Sequence, residues 1–230
     1  MKNKVAQSFY SSLAKGKGEK YLIEARRFIP RYNEIAKEVV MLLQIYNPTN
    51  ILDIGSGIGN IEKNIFKKLP KTEIICVEIS PEMARTSRLN LKQFGNRAKI
   101  VNKDILDFEA DDRYDAIFSN IALHNIPYGK KKLLIKNIKK WLNYCGIFIW
   151  SDLIKYSDDI VQNKIIAQRL KNALKKGATK KFAEENFEKE GKFDYPLGVN
   201  QTLNLLKETG FSKSEIVWLY GAFAIFYAQK

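Results

Sequence analysis

Along the middle of the chain, short runs rich in Ile, Val and Phe alternate with longer stretches whose apolar positions recur every three or four residues. The first pattern suits strands and the second amphipathic helices, so their alternation predicts βαβ units around a parallel sheet. The strands fall at 50–54, 73–79, 98–102, 114–119 and 145–152, with helices at 58–69, 80–94 and 130–142. Ser80-Pro81-Glu82 opens the second helix with a capping serine, a proline at the first helical position and an early acid, and Gly95 ends it. Gly146 opens the fifth strand in a turn. A further helix at 199–208 leads to strands at 213–220 and 222–229, turned at Gly221. Such a hairpin adds antiparallel strands to an otherwise parallel sheet. The two remaining regions differ: 1–46 reads as helical, strongly amphipathic over 32–45, and 157–190 reads as helical and very polar. The expected architecture is one α/β domain spanning 1–230, with a helical cap from 1–46 and 155–195 over the carboxyl ends of the strands.

Composition narrows the class. Apolar residues make up 45% of the 230 positions and charged residues 28%, which suits a folded globular chain. No apolar run reaches the ~18 residues of a membrane span, and the first ten residues lack the apolar core of a signal peptide. A cytoplasmic location without a membrane partner is the expectation. Cys76 and Cys145 both sit in apolar, strand-like stretches, so both are expected to be buried and reduced, with no disulfide and no metal site. The net charge of +14 raises the question of a polyanion partner. The lysine-rich stretches at 130–132, 139–140 and 175–181 are spread along the chain, which favours a general lysine bias. A contiguous basic surface beside the site would instead point to RNA.

The most informative segment is Ile51-Leu52-Asp53-Ile54-Gly55-Ser56-Gly57-Ile58-Gly59-Asn60, an apolar strand running into a glycine-rich turn and then a helix. Glycines there let a ligand approach the backbone, and in open α/β sheets ligands lie beyond the carboxyl ends of the strands. The dinucleotide fingerprint G-x-G-x-x-G is incomplete, because Asn60 stands where its third glycine belongs. Asp53 before the loop suits an amino-bearing ligand better than a pyrophosphate, which argues against a nicotinamide oxidoreductase. Glu78, closing the second strand, is placed to bond ribose hydroxyls. Asp104 and Ile105, after the third strand, are placed for an adenine amino group and its face.

On these residues the sequence resembles the class I S-adenosylmethionine-dependent methyltransferases, with a Rossmann-like, mostly parallel seven-stranded sheet. The resemblance covers about residues 27–230. It implies Asp53, Gly55, Ser56 and Gly57 around the methionine part of S-adenosyl-L-methionine, Glu78 on the ribose, and Asp104 with Ile105 at adenine. Ile79 and Met83 belong to the same implied set, and Asn120 with Ile121 would line the methionine side and the path to the acceptor. Arg27-Phe28-Ile29-Pro30-Arg31-Tyr32, Leu205-Leu206-Lys207-Glu208-Thr209-Gly210-Phe211 and Trp218-Leu219-Tyr220-Gly221-Ala222-Phe223-Ala224 resemble the subgroup of carboxy-S-adenosylmethionine synthase and its relatives. That resemblance implies a cofactor contact for Tyr32. The synthase holds its extra carboxylate with an arginine of the helical insertion. Here no arginine follows Arg169, and lysine is a poor substitute for a bidentate guanidinium. Ordinary S-adenosylmethionine is therefore the expected ligand.

Methyl transfer needs alignment and a water-poor pocket more than an acid–base pair. If the acceptor must lose a proton, a base at the rim is useful. His124, the one histidine of the chain, follows the fourth strand in Ser119-Asn120-Ile121-Ala122-Leu123-His124-Asn125-Ile126-Pro127 and is the candidate. The leading expectation is a methyltransferase for a small-molecule acceptor. Alternatives are a tRNA wobble-uridine-modifying enzyme of the same fold and a non-catalytic S-adenosylmethionine-binding protein, which would lack an acceptor-sized cavity. The insertion leaves room for a homodimer.

Overall fold

The computed structural model describes residues 18–230. The predicted cap before residue 18 lies outside the described residues. The order is α1 (Glu19–Phe28), α2 (Tyr32–Tyr46), β1 (Asn50–Ile54), α3 (Asn60–Lys68), β2 (Glu73–Glu78), α4 (Pro81–Leu91), β3 (Ala98–Asn102), β4 (Tyr114–Asn120), α5 (Tyr128–Trp141) and β5 (Leu142–Leu153). Then follow α6 (Asp159–Lys175), α7 (Lys180–Phe193), α8 (Val199–Glu208), β6 (Lys213–Tyr220) and β7 (Phe223–Gln229).

The strands form one seven-stranded sheet in the order β3-β2-β1-β4-β5-β7-β6. Strands β1 to β5 run parallel, and β7 joins β5 antiparallel, as does β6 to β7. The strand order reverses between β1 and β4, which sets a crevice at their carboxyl ends. Helices cover both faces. Ile35, Val39 and Leu43 of α2 and Ile65 and Phe66 of α3 pack on Ile51, Cys76, Phe118 and Ile149. On the other face Leu134 and Ile138 of α5 and Leu205 and Leu206 of α8 pack on Leu52, Ile117, Phe148 and Phe226. Strands buried on both faces read as near-continuous apolar runs, which is why the central strands are plain in the sequence.

Two local expectations need correction. The helix over 80–94 stops being α-helical at Leu91. A 3₁₀ segment, Lys92–Arg97, follows, and Gly95 breaks it at φ 59°. Cys145 is exposed, not buried. It has φ 61°, in an irregularity where the pairing of β5 with β4 jumps between Tyr114/Leu142 and Ala116/Ile147. The extra residues leave the pleat there, and the thiol turns outward with them. Cys76 is buried as expected, and both cysteines are free.

The cap is a separate packing unit on the sheet's carboxyl rim. Phe28 of α1 meets Phe182 and Phe187 of α7 at centroid distances of 5.6 and 5.9 Å. Arg27 Nε donates to the Lys176 carbonyl at 3.1 Å, and Lys176 Nζ donates to the Arg26 carbonyl at 2.7 Å. Helices distant in sequence thus close over one side of the crevice.

Candidate functional site

A cavity of about 220 Å³ opens at the switch point. Its inner wall is the rim of the sheet. Gly55 (φ 77°) and Gly59 (φ 76°) are fixed by packing. A Cβ on Gly55 would lie 2.5 Å from the Ala122 Cβ, and one on Gly59 would lie 2.9 Å from Leu91 Cγ. Gly57 (φ 59°) differs, because a Cβ there would meet nothing within 4 Å. Its open side lines the cavity.

Glu78 is buried and braces this loop. Its Oε2 accepts from Gly57 N at 2.8 Å and its Oε1 from Ser80 N at 2.8 Å. Burial pushes its carboxyl up, against the pull of those amides. Ile79, Met83, Asp104 and Ile105 line the same wall. Asp104 Oδ1 accepts from Leu106 N at 3.0 Å, capping the short 3₁₀ turn Ile105–Asp107. Asn120 and Ile121 complete the wall at the end of β4. Ile121 has φ 57°, a left-handed conformation that costs a β-branched residue energy and is held here by its N–H on the Ser151 carbonyl at 2.7 Å.

Tyr32, Asp53 and Ser56 do not line the main cavity. With Gly55, Gly57 and Asn120 they line a smaller hollow beneath the loop. The structure therefore brings all the cofactor-site candidates to one rim, but in two compartments. Burial pushes the Tyr32 phenol up to about 12.

The outer wall was missed from sequence. It is formed by Glu24 and Phe28 of α1, Arg169 of α6, Asn186 and Glu190 of α7, and Asp194. Arg169 is almost fully buried, and its two terminal nitrogens hold Glu190 bidentately at 2.6 and 2.8 Å. The insertion does carry an arginine into the cavity, but its fork is already taken by a carboxylate. Nothing in local periodicity marks these positions, because three separate segments converge there.

His124 lies where this wall meets the rim. Its Nδ1 is 2.5 Å from Asp152 Oδ1. Asp152 also accepts from Trp150 Nε1 and from Leu153 N, each at 2.9 Å. Nε2 lies 3.1 Å from Asn125 Nδ2 and 3.8 Å from Asp194 Oδ2. Burial alone would lower the pKa of this imidazole. The charge and hydrogen bond of Asp152, with Asp194 and Glu190 beyond, outweigh it and raise the pKa to about 9. The raised pKa favours the imidazolium at neutral pH, with Asn125 Nδ2 and the Asp194 carboxyl as the side chains beside Nε2. Burial raises the Asp194 carboxyl to about 6, although His124 pulls it down. Asp152, another strand-end acid, was legible in kind, but its pairing with His124 was not.

Residues 51–146 match the family model described as a methyltransferase domain. The chain is 26% identical to the carboxy-S-adenosyl-L-methionine synthase of Nautilia profundicola over 208 residues, 89% of this chain and 88% of that protein. It is 29% identical over 125 residues to malonyl-[acyl-carrier protein] O-methyltransferase 1 of Ilyobacter polytropus, 52% of this chain and 46% of that one. Among solved structures, an O-methyltransferase family protein from Burkholderia thailandensis aligns with TM-score 0.68 at 14% identity over 93% of this chain. The chain spans 59% of that structure's length. The DhpI–SAH complex aligns with TM-score 0.66 at 15% identity, over 98% of this chain and 95% of that one. The magnesium protoporphyrin IX methyltransferase of Synechocystis with bound SAH aligns with TM-score 0.62 at 14% identity, over 86% and 83%. The chain has the fold of solved methyltransferases, and its residues 51–146 are similar to a methyltransferase domain.

Proposed function

We propose that this chain transfers a methyl group from S-adenosyl-L-methionine to a small-molecule acceptor. One observation carries the reading: a single cavity of about 220 Å³ has the polar rim from Gly57 to Asn120 as one wall and the cap as the other, so a ligand held on the rim faces the cap. The match of residues 51–146 to a methyltransferase domain favours the enzyme over a non-catalytic binder. The residues fit the cofactor. Gly57 leaves its side open, and the Asn120 Oδ1 and Ser56 Oγ are buried without a hydrogen-bond partner among the described residues. In this reading Glu78 takes the ribose hydroxyls, Asp104, Ile105, Ile79 and Met83 surround the adenine, and Asp53, Gly55, Ser56, Gly57, Tyr32, Asn120 and Ile121 serve the methionine end. When bound, the sulfonium supplies an activated methyl group.

The chain's own residues do the rest. Phe28, Leu153 and Phe223 keep the acceptor side dry, and a low-dielectric wall favours a step in which charge is lost. His124, held by Asp152, is proposed to act at the acceptor as a fixed imidazolium rather than a free base near neutral pH. Arg169 is neutralised by Glu190, which supports ordinary S-adenosylmethionine over a carboxylated form. We read the chain as one domain and take α1 with residues 155–195 as the cap that sets acceptor specificity, whereas α2 packs on a face of the sheet. Among the described residues no helix is long and apolar enough to cross a membrane. The two free cysteines suit the cytoplasm, where we place the protein. A tRNA acceptor and a homodimer are not part of this reading.

Calorimetric titration with S-adenosylhomocysteine tests the site. Tight binding by the parent and clear weakening in Asp53→Ala and Glu78→Ala are expected. Unchanged affinity in both variants would remove the proposed site.

A further inference from the structure

The small hollow beneath the glycine loop shares Tyr21, Gly55, Gly57 and Asn120 with the main cavity. Its base holds Asp53 of β1 and Glu62 of the first turn of α3, exposed by only 2% and 1%. With the Cys76 thiol their ligand atoms all lie within 4.8 Å. Two carboxyls this close in a buried place do not readily both ionise, so the pair tends to retain a proton. Burial pushes both upward, and the charge of Glu62 pushes Asp53 further.

Among the described residues, the groups that act on the pair bring no cation against it. Tyr32 of α2, Cys76 of β2 and Glu78 of β2 act on it, and Arg26 of α1 acts on Tyr32. Burial pushes the Cys76 thiol up, so it stays neutral and donates weakly to Glu62 Oε1 at 3.8 Å. A second, independent observation points to a ligand. Ser56 Oγ and Asn120 Oδ1 line this same hollow, buried and without partners among the described residues. Two unpartnered oxygens beside a pair of buried carboxyls suit a group bearing several N–H bonds.

We propose that Asp53 and Glu62 act as a single proton-sharing anchor for a ligand ammonium group, and that ammonium binding expels the shared proton to solvent. The inference rests on the function proposed above, in which that ammonium is the amino-acid end of S-adenosylmethionine or of its demethylated product. Glu62 is the new member: by sequence it is an ordinary acid in the first turn of a helix. A cation beside the pair favours its fully ionised form, so binding releases protons. Affinity then rises with pH, by up to about tenfold per unit while the pair still holds its proton.

The test is titration of the full chain with S-adenosylhomocysteine at one pH in phosphate and in Tris, whose ionisation heats differ. The expected result is a buffer-dependent heat that reports release of roughly half to one proton per ligand. An infrared difference spectrum should lose a protonated-carboxyl band on binding. Glu62→Gln keeps the shape but carries no shared proton. It should bind about three- to tenfold more weakly with the release abolished. Binding with identical heats in the two buffers and no carboxyl band lost would overturn the anchor while leaving the proposed function intact. Undiminished release in Glu62→Gln would overturn it equally. Failure of the parent chain to bind S-adenosylhomocysteine at all would instead overturn the proposed function, and the anchor with it.

Discussion

The inner and outer walls of the cavity are built by different rules. The inner wall is local: Gly55, Gly57 and Glu78 are placed by one strand–turn–helix segment and the next strand, and Glu78 Oε2 reaches back to the Gly57 amide at 2.8 Å. The outer wall is assembled from afar. His124 meets Asp152, Arg169 meets Glu190, and the buried Lys131 ammonium donates to the Tyr195 carbonyl at 2.6 Å. The inner wall is shaped by backbone geometry and has open bonding capacity. The outer wall pairs its charged groups with one another, although Glu24 Oε2 and Arg169 Nε are buried without a partner among the described residues. The first should therefore govern affinity for the nucleoside and the second the stability of the cap.

The largest effect is expected where the outer wall has most to lose. Asp152→Ala removes the acceptor for His124 Nδ1, Trp150 Nε1 and Leu153 N together. Stranding buried donors and a buried cation should destabilise the fold by about 3–5 kcal/mol in chemical denaturation. S-adenosylhomocysteine affinity, measured where the variant remains folded, should change little. A large loss of affinity with unchanged stability would break the division between the walls. The inner-wall counterpart is Glu78→Gln, which removes the charge and leaves one neutral acceptor oxygen for Gly57, Ser80 and the ligand. An affinity loss of roughly 10- to 100-fold is expected, with a smaller stability cost than at Asp152, about 1–3 kcal/mol for the stranded amide.

A pH series sharpens the same contrast. Folded His124 holds its proton to about pH 9, against 6.5 for the free side chain. Its stabilising contribution is then fully present below pH 6.5 and is lost as pH rises through 9. The melting-temperature gap between the parent and His124→Gln should be widest in mildly acidic solution, about 2–4 kcal/mol in stability, and should close by strongly alkaline pH. A gap that widens with pH would show a neutral imidazole and restore His124 as a free base.

The sheet and the inner wall were legible because their signals are short-range. An apolar run, a glycine turn and an acid at the end of the next strand are each visible within one βα unit, and parallel order follows from the alternation. Asp53 was legible as a carboxylate before the loop, but not as half of a pair, because Glu62 looks like any acid in a first helical turn. The outer wall was illegible for a different reason. Glu24 and Arg169 are polar residues on polar helices and Asp194 directly follows one, and helix periodicity alone treats such positions as solvent-facing. Their burial comes from the docking of α1 on the insertion, a contact between segments about 150 positions apart, such as Lys176 Nζ on the Arg26 carbonyl. Cys145 failed in the opposite direction: an apolar neighbourhood suggested burial, and one irregular turn in β5 put the thiol outside.

The smallest effect separates geometry from charge within the outer wall. Arg169→Lys keeps a cation beside Glu190 but replaces two parallel hydrogen bonds, at 2.6 and 2.8 Å, with one at best. The guanidinium also sits over the rings of Phe187 and Phe223, 4.9 and 5.1 Å from their centroids. An ammonium is a compact, strongly hydrated charge and does not stack in that way. A cost of about 1–2 kcal/mol is expected, concentrated in the insertion, so hydrogen exchange should quicken in α6 and α7 while β1 and β4 stay protected. If exchange instead quickens across the whole sheet, the cap is not a separate packing unit, and the two walls share one cooperative structure.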